Sequence, residues 1–402
     1  MHPPLTIKIF KRSISSFHFF GTAGYFLGLI LGICLAFLTN LNIWPVLVCG
    51  ITGATVLFGL TYLYKKITGR EDLVYYQHEI AILLSCIIVL YFLKLPVVKY
   101  LDITLMGIGT FLAFGRIGCF SVGCCHGKPG KFGVKYNDAH VAEGFNPAFA
   151  GVIIFPIQLI ESFCVLITVI ISSYTILKGF SPGIALLIYT VIYGVVRFIL
   201  EYFRGDAERP YLQGFSEAQW TTFAVFAISI ILSLNNILPK YLWHLWSLPA
   251  LVLLMIATVV KRNLSAISTH KILHPKHVLE IANCLTALQN NQTINDKILI
   301  AQTALGFKIS TGIITDANDS SIHYTFSTDE KSNQKFLLNK TVAKTLGVLI
   351  QTLKHPATVF TIIEGQSNVF HIVFPAKKIN NINETSKSEA LKLRRSLRYS
   401  YN

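Results

Sequence analysis

The sequence predicts an all-α polytopic membrane protein of about seven to eight transmembrane helices, followed by a small α+β soluble domain. Three observations carry this expectation. Of 402 residues, 52% are hydrophobic and only 14% charged, whereas a soluble domain carries about 25% charged residues. From Ser13 to Tyr64 there is no Asp, Glu, Lys or Arg, a run long enough for two bilayer crossings at about 20 residues each. After Lys261 the composition turns abruptly to that of an ordinary soluble domain. A soluble enzyme and a single-anchor protein are both excluded. The boundaries fall at 1–262 for the multi-span domain, 263–380 for the α+β domain and 381–402 for a basic polar tail.

Uncharged apolar runs place eight spans near 17–39, 43–64, 79–94, 101–116, 150–176, 182–203, 217–236 and 241–260. The first two are joined by the short Asn40–Asn42 turn and must form an antiparallel hairpin. Lys8, Lys11 and Arg12 precede an apolar run too long for the core of a cleavable signal, so the first helix reads as an uncleaved anchor. Beyond the spans, an amphipathic helix is expected at His277–Leu288 and a second at Lys340–Leu353. Strand pairs are expected at Lys308–Thr315 with Ile322–Ser327, and at Val359–Glu364 with Val369–Phe374. The turn-rich Asp316–Ser320 and Gly365–Asn368 make each pair a hairpin.

The net charge of +15 is spread along the chain: residues 1–260 hold 17 basic and 11 acidic residues, and residues 261–402 hold 18 and 9. That distribution suits membrane lipid and lipid phosphate, and no nucleic acid is expected as a partner. The tail with Lys392, Arg394, Arg395 and Arg398 reads as disordered or membrane-surface chain.

Ionisable residues inside spans are expensive and face a cavity or a partner. Arg197, Glu201 and Arg204 in YGVVRFILEYFR are spaced four and three apart, hence on one helical face. Glu201 can hold both guanidiniums, and the arginine pair offers a forked donor surface suited to a phosphate. Glu161 and Gln158 share a face of the fifth span, and a buried carboxylate there needs one of the arginines as partner. At the end of the fourth span, GRIGCFSVGCCHGKPGKFGV begins with Arg116 at the membrane boundary, and Gly115, Gly118, Gly123 and Gly127 permit tight turns. Cys119, Cys124, Cys125 and His126 admit a metal, a disulfide or packed reduced thiols. Packing is expected and no metal, because zinc sites use separated ligand pairs and adjacent cysteines are awkward for one ion. His78, followed by Glu79, opens the third span and is a candidate base.

These segments, in this order, resemble the prolipoprotein diacylglyceryl transferase family over roughly residues 17–235. GRIGCFSVGC resembles that family's signature beginning Gly-Arg-Ile-Gly-Asn-Phe, FPIQLIE its His-Pro-x-Gln-Leu-Tyr-Glu segment, and YGVVRFILEYFR its penultimate-helix motif. His78 sits where the family keeps a His-Gly-Gly histidine, and Phe20-Gly21 matches a Tyr-Gly pair. Cys119 replaces the signature asparagine and Cys124 its acidic residue, Glu-Ile replaces Gly-Gly after His78, and the C-terminal domain is extra.

The resemblance implies transfer of a diacylglyceryl group from phosphatidylglycerol to a thiol acceptor, the lipobox cysteine of a prolipoprotein, with release of glycerol phosphate. It implies catalytic roles for His78, Arg116, Arg197 and Glu201, phosphate binding by Arg116, Arg197 and Arg204, and support from Gln158, Glu161, Gly118 and Cys119. His126 is the second candidate base, no cofactor is required, and the location implied is the bacterial cytoplasmic (inner) membrane. Two alternatives from other classes are a non-catalytic lipid-binding or sensory membrane protein and a thiol-redox protein built on Cys119, Cys124 and Cys125. Lys/Arg counts put the motif face in the cytoplasm, whereas the resemblance puts it outside.

Overall fold

The computed structural model describes residues 2–9, 12–69, 75–264, 269–291, 299–315, 320–328, 338–366 and 369–375. The tail 381–402 and residues 316–319 and 367–368 of the expected connectors lie outside them. The chain divides into two compact units after Ala266.

The first unit opens with an antiparallel hairpin, β1 (Thr6–Ile9) and β2 (Arg12–Ser15), which runs straight into α1 (Ser16–Leu38). A left-handed Asn40 makes the expected turn to α2 (Trp44–Thr68), where Pro45 occupies the first helical turn and Gly69 closes the end in the left-handed region. α3 (Tyr75–Phe92) and α4 (Val97–Val122) follow. α4 crosses α1 closely: a Cβ on Gly28 would stand 2.5 Å from the Gly107 carbonyl oxygen. Small residues allow this approach, the usual way helices associate in a bilayer. Asp102 on α4 accepts from the backbone N–H groups of Gly183 (2.6 Å) and Leu186 (2.9 Å), satisfying the open first turn of α7 (Ile184–Leu200).

Between α4 and α7 lie β3 (Pro129–Lys135), α5 (Asp138–Ala142), β4 (Ile153–Ile154) and α6 (Ile157–Leu177), with β3 and β4 antiparallel. After α7 come β5 (Tyr211–Leu212) and β6 (Phe215–Ser216), then α8 (Glu217–Leu234), opened by a Ser216/Gln219 capping box. The short α9 (Leu242–Leu245) leads into α10 (Ser247–Leu264). Among the described residues seven helices are long and apolar enough to cross a membrane, and the protein is a multi-pass membrane protein. The eighth expected span, α3, is apolar but shorter over Gln77–Phe92.

Two expected boundaries need correction. The fourth span does not end at 116; α4 continues to Val122, so Arg116 lies inside the helix. The fifth does not begin at 150: a 3-10 turn and β4 occupy that stretch, and Pro156 stands immediately before α6. Apolarity alone could not separate this largely buried segment from helix, since both lack charge.

The second unit holds α11 (Thr269–Ile272), α12 (Pro275–Asn291), β7 (Ile300–Gln302), β8 (Phe307–Thr315), β9 (Ser320–Thr328), α13 (Lys340–Lys354), β10 (Thr361–Glu364) and β11 (Phe370–Pro375). The strands form one antiparallel sheet in the order β10-β11-β9-β8-β7, so both expected hairpins are present. Alternate residues Phe370, Ile372 and Phe374 are buried, as are Tyr324 and Phe326 on β9. Leu346, Ile350 and Leu353 line the buried stripe of α13.

Candidate functional site

One end of the bundle gathers most of the chemistry-bearing residues. His2 reaches the Lys135 carbonyl (Nδ1···O 2.8 Å) and His140 that of Pro3 (Nε2···O 3.1 Å), so the N-terminal hairpin sits with the loop after α4. That loop is tied to the end of α7: Gly127 pairs with Arg204, the Lys128 N–H donates to the Phe203 carbonyl, and the Gly205 N–H to the His126 carbonyl. The seam has no room for side chains. A Cβ on Gly127 would lie 2.4 Å from the Phe155 oxygen, and one on Gly205 2.4 Å from the Gly127 oxygen. A Cβ on Gly118 would stand 3.2 Å from the Phe17 backbone, while Gly115 faces open space.

Around this seam four arginines meet three carboxylates. Arg116 on α4 pairs with Glu161 on α6 (Nε–Oε2 3.0 Å). Arg197 on α7 lies 3.5 Å from Glu161 and 2.6 Å from Glu201, one helical turn on. Glu161 also accepts from the Tyr193 hydroxyl at 3.1 Å. Arg204 grips Asp206 with two hydrogen bonds, 2.8 and 3.0 Å, and stands 4.0 Å from Glu201. Arg209 bonds Glu201 and bridges to Asp206 at 3.0 Å. Arg116, Arg197 and Arg204 are all buried, at 5%, 2% and 1% exposure.

Four guanidiniums face three carboxylates, and Arg197 Nε and Arg204 Nη1 find no hydrogen-bond partner among the described residues. Buried donors without partners are uncommon and need an explanation. Unspent guanidinium N–H groups are suited to receive an anion. Outside the helices, burial would raise the Asp206 carboxyl, yet Arg204 and Arg209 hold it below its usual range. Burial pushes the His126 imidazole below its ordinary value, with Arg204 acting in the same direction.

The arrangement brings together Arg116, Glu161, Arg197, Glu201 and Arg204 as the sequence led us to expect, with one change. Glu201 does not hold both flanking arginines closely; Arg204 takes Asp206 instead, and Arg209 takes the second oxygen of Glu201. Asp206, Arg209 and Tyr193 were missed. Asp206 and Arg209 stand two and five residues after Arg204 in RGDAER, and that spacing of opposite charges was the available signal. Gln158 donates to the Cys124 carbonyl at 2.9 Å and so ties α6 to the loop.

All eight cysteines are free. The sulfurs of Cys119, Cys124 and Cys125 nevertheless lie within 4.8 Å of one another. Gly123 (φ 85°) and Cys125 (φ 54°) both adopt the left-handed conformation, which curls the chain back beneath the last turn of α4. Adjacency in sequence therefore does not keep these three sulfurs apart. Hydrogen bonds with Cys119 and Cys124 hold the Cys125 thiol well below its ordinary range, assisted by Arg204 and Arg116.

His78 is buried and lies 3.3 Å from the Thr61 hydroxyl. It lines a cleft among α1 to α4, whose α4 lining reaches Phe111 but not Arg116. Glu79 lines this cleft and also a second one, which extends to Tyr193.

A family model described as prolipoprotein diacylglyceryl transferase matches residues 4–235. The chain is similar to the phosphatidylglycerol–prolipoprotein diacylglyceryl transferase of Clostridium tetani, 33% identical over 112 residues, which are 27% of this chain and 43% of that protein. It is 29% identical over 115 residues to the phosphatidylglycerol–prolipoprotein diacylglyceryl transferase 2 of Clostridium perfringens, covering 28% and 43% of the two chains. With the phosphatidylglycerol–prolipoprotein diacylglyceryl transferase of Helicobacter hepaticus it shares 28% identity over 176 residues, covering 43% and 58%. The chain thus spans about half the length of the curated relatives it matches.

Proposed function

The chain belongs to the prolipoprotein diacylglyceryl transferase family, and on that premise we propose that it transfers a diacylglyceryl group from phosphatidylglycerol to the lipobox cysteine of a prolipoprotein in the bacterial inner membrane. The observation that carries this reading is the buried arginine network with its unpartnered donors on Arg197 and Arg204. Phosphatidylglycerol presents a phosphodiester whose oxygens can accept from them. The reaction is assigned to the unit spanning 1–262, with 263–380 as an appended domain.

In the reaction the acceptor thiol loses its proton, its sulfur forms a bond to a glyceryl carbon, and the carbon–oxygen bond next to the phosphate breaks. Negative charge grows on the departing glycerol phosphate. Arg197 and Arg204, with Arg116 behind Glu161, meet that charge from fixed positions in a site shielded from water, where such donors act most strongly. Glu161 and Glu201 hold the guanidiniums in place, and Gln158 and Gly118 set the loop and α4 that carry Arg116 and Cys119. The walls of the cleft among α1 to α4 are mostly apolar, as a lipid chain requires, and His78 in its wall is assigned as proton acceptor.

The test is mass spectrometry of a lipobox peptide incubated with the purified protein and phosphatidylglycerol vesicles. A mass gain of one diacylglyceryl group on the cysteine supports the reading; unmodified peptide under conditions where a known family member modifies it refutes the reading.

A further inference from the structure

We propose that Cys119, Cys124 and Cys125 form a three-thiolate zinc site whose open fourth position takes the acceptor thiol. The inference rests on the function proposed above and deepens it by naming what makes the thiol reactive.

Geometry carries it first. Zinc–sulfur bonds of about 2.3 Å at tetrahedral angles set ligand sulfurs about 3.8 Å apart. The three sulfurs here already lie within 4.8 Å of one another, so closing on an ion needs side-chain adjustments of about an ångström. The left-handed residues Gly123 and Cys125 produce this convergence, and the Gln158 bond to the Cys124 carbonyl fixes the loop in place. Three thiols brought to one point with the non-glycine Cys125 held left-handed are unusual for simple packing, in which small thiols need no mutual contact.

Chemistry carries it further. Three protein ligands with a fourth position open is the pattern of catalytic rather than structural zinc, and Cys124 is exposed, leaving that position reachable. All-sulfur donors suit zinc, which undergoes no redox change. A thiol near pKa 8.5 is only a few per cent thiolate at neutral pH, and a coordinating thiol is deprotonated outright. The proton passes to water. The sulfur then uses a lone pair to form the S–C bond, while the electrons of the C–O bond leave with glycerol phosphate. A zinc bound to three thiolates carries one negative charge, within electrostatic reach of Arg204 and Arg116.

The experiment uses the full chain in detergent, reduced and stripped of metal, titrated with Co(II) as a spectroscopic probe and Zn(II) against a chelator. One ion per chain is expected, with thiolate-to-cobalt charge-transfer bands. Cys119→Ser, Cys124→Ser and Cys125→Ser should each weaken binding by about tenfold or more, while Cys34→Ser and Cys284→Ser leave it unchanged. A lipobox peptide should shift the cobalt spectrum and the same peptide with Cys→Ser should not, both in the absence of phospholipid. No thiolate bands, fewer than the eight free thiols in the purified protein, or a spectrum indifferent to the peptide thiol would overturn the proposal. Equal transfer rates with and without metal would also overturn it while leaving the transferase reading intact. A thiol-responsive metal site with no lipid transfer would refute the transferase reading alone.

Discussion

Glu161 is the joint of the arginine network, and Glu161→Gln separates its charge from its shape. Glutamine can still accept from the Tyr193 hydroxyl, now 3.1 Å away. It removes the negative charge between Arg116 and Arg197. Arg197 keeps Glu201 at 2.6 Å, but Arg116 loses the carboxylate 3.0 Å from its Nε. Breaking a buried pair by removing one partner costs about 3–5 kcal/mol, and because Arg197 retains one carboxylate the low end, about 3 kcal/mol, applies. At roughly 2–4 °C per kcal/mol for a unit of this size, the unfolding midpoint should drop by roughly 6–12 °C. The assay is the surviving monodisperse fraction in detergent after heating at one fixed rate. Adding Arg116→Met should recover much of the loss, because no charge is then stranded. A midpoint for Glu161→Gln within about 2 °C of wild type, or a double variant showing the plain sum of both losses, would refute the argument.

Arg197→Lys should lower phosphatidylglycerol turnover by about 10²–10³-fold, since an ammonium cannot hold Glu161 and Glu201 while also offering a donor to phosphate; initial rates of lipid transfer report it. Gly127→Ala should abolish transfer while membrane insertion persists, because its Cβ would strike the Phe155 carbonyl; Gly115→Ala, with open space around it, should keep wild-type rates in the same assay. His78→Gln should cost about 10²–10⁴-fold in turnover, the worth of a positioned base, and His126→Gln less than about tenfold; the opposite ranking would move the base to His126. The His126 imidazole is held below its ordinary 6.5 by burial, so the unfolded chain binds its proton more readily. Stability from this group is present above 6.5 and falls away as pH drops below it, and His126→Gln should flatten that dependence in melts at pH 5 to 8, all of these being approximate bounds.

The membrane helices were legible because their charge-free runs have no other physical home. The α12, α13 and hairpin assignments followed from periodicities of 3.6 and 2, which survive in a one-sided core. The β4 stretch was hidden because a protein-buried turn is as uncharged as a helix. The N-terminal hairpin was hidden because its four-residue strands depend on contacts more than 130 residues away, such as His2 with Lys135. In the site, Arg197 and Glu201 were legible from spacing on one helix. The pairing of Arg116 with Glu161 joins helices 45 residues apart and could only be inferred from the need of a buried carboxylate for a partner. The closeness of the three cysteine sulfurs was not legible because sequence adjacency says nothing about a left-handed turn at Cys125.

The central claim is that the buried arginine network serves transfer of a diacylglyceryl group to a thiol. Its most direct test measures two products in one reaction: diacylglyceryl-modified lipobox peptide by mass spectrometry and free glycerol phosphate. Wild-type protein with phosphatidylglycerol should yield both in equal amounts, a peptide with Cys→Ser should yield neither, and Arg197→Lys should depress both together. Glycerol phosphate released without peptide modification, or unaltered phosphatidylglycerol beside intact, correctly inserted protein, would contradict the account.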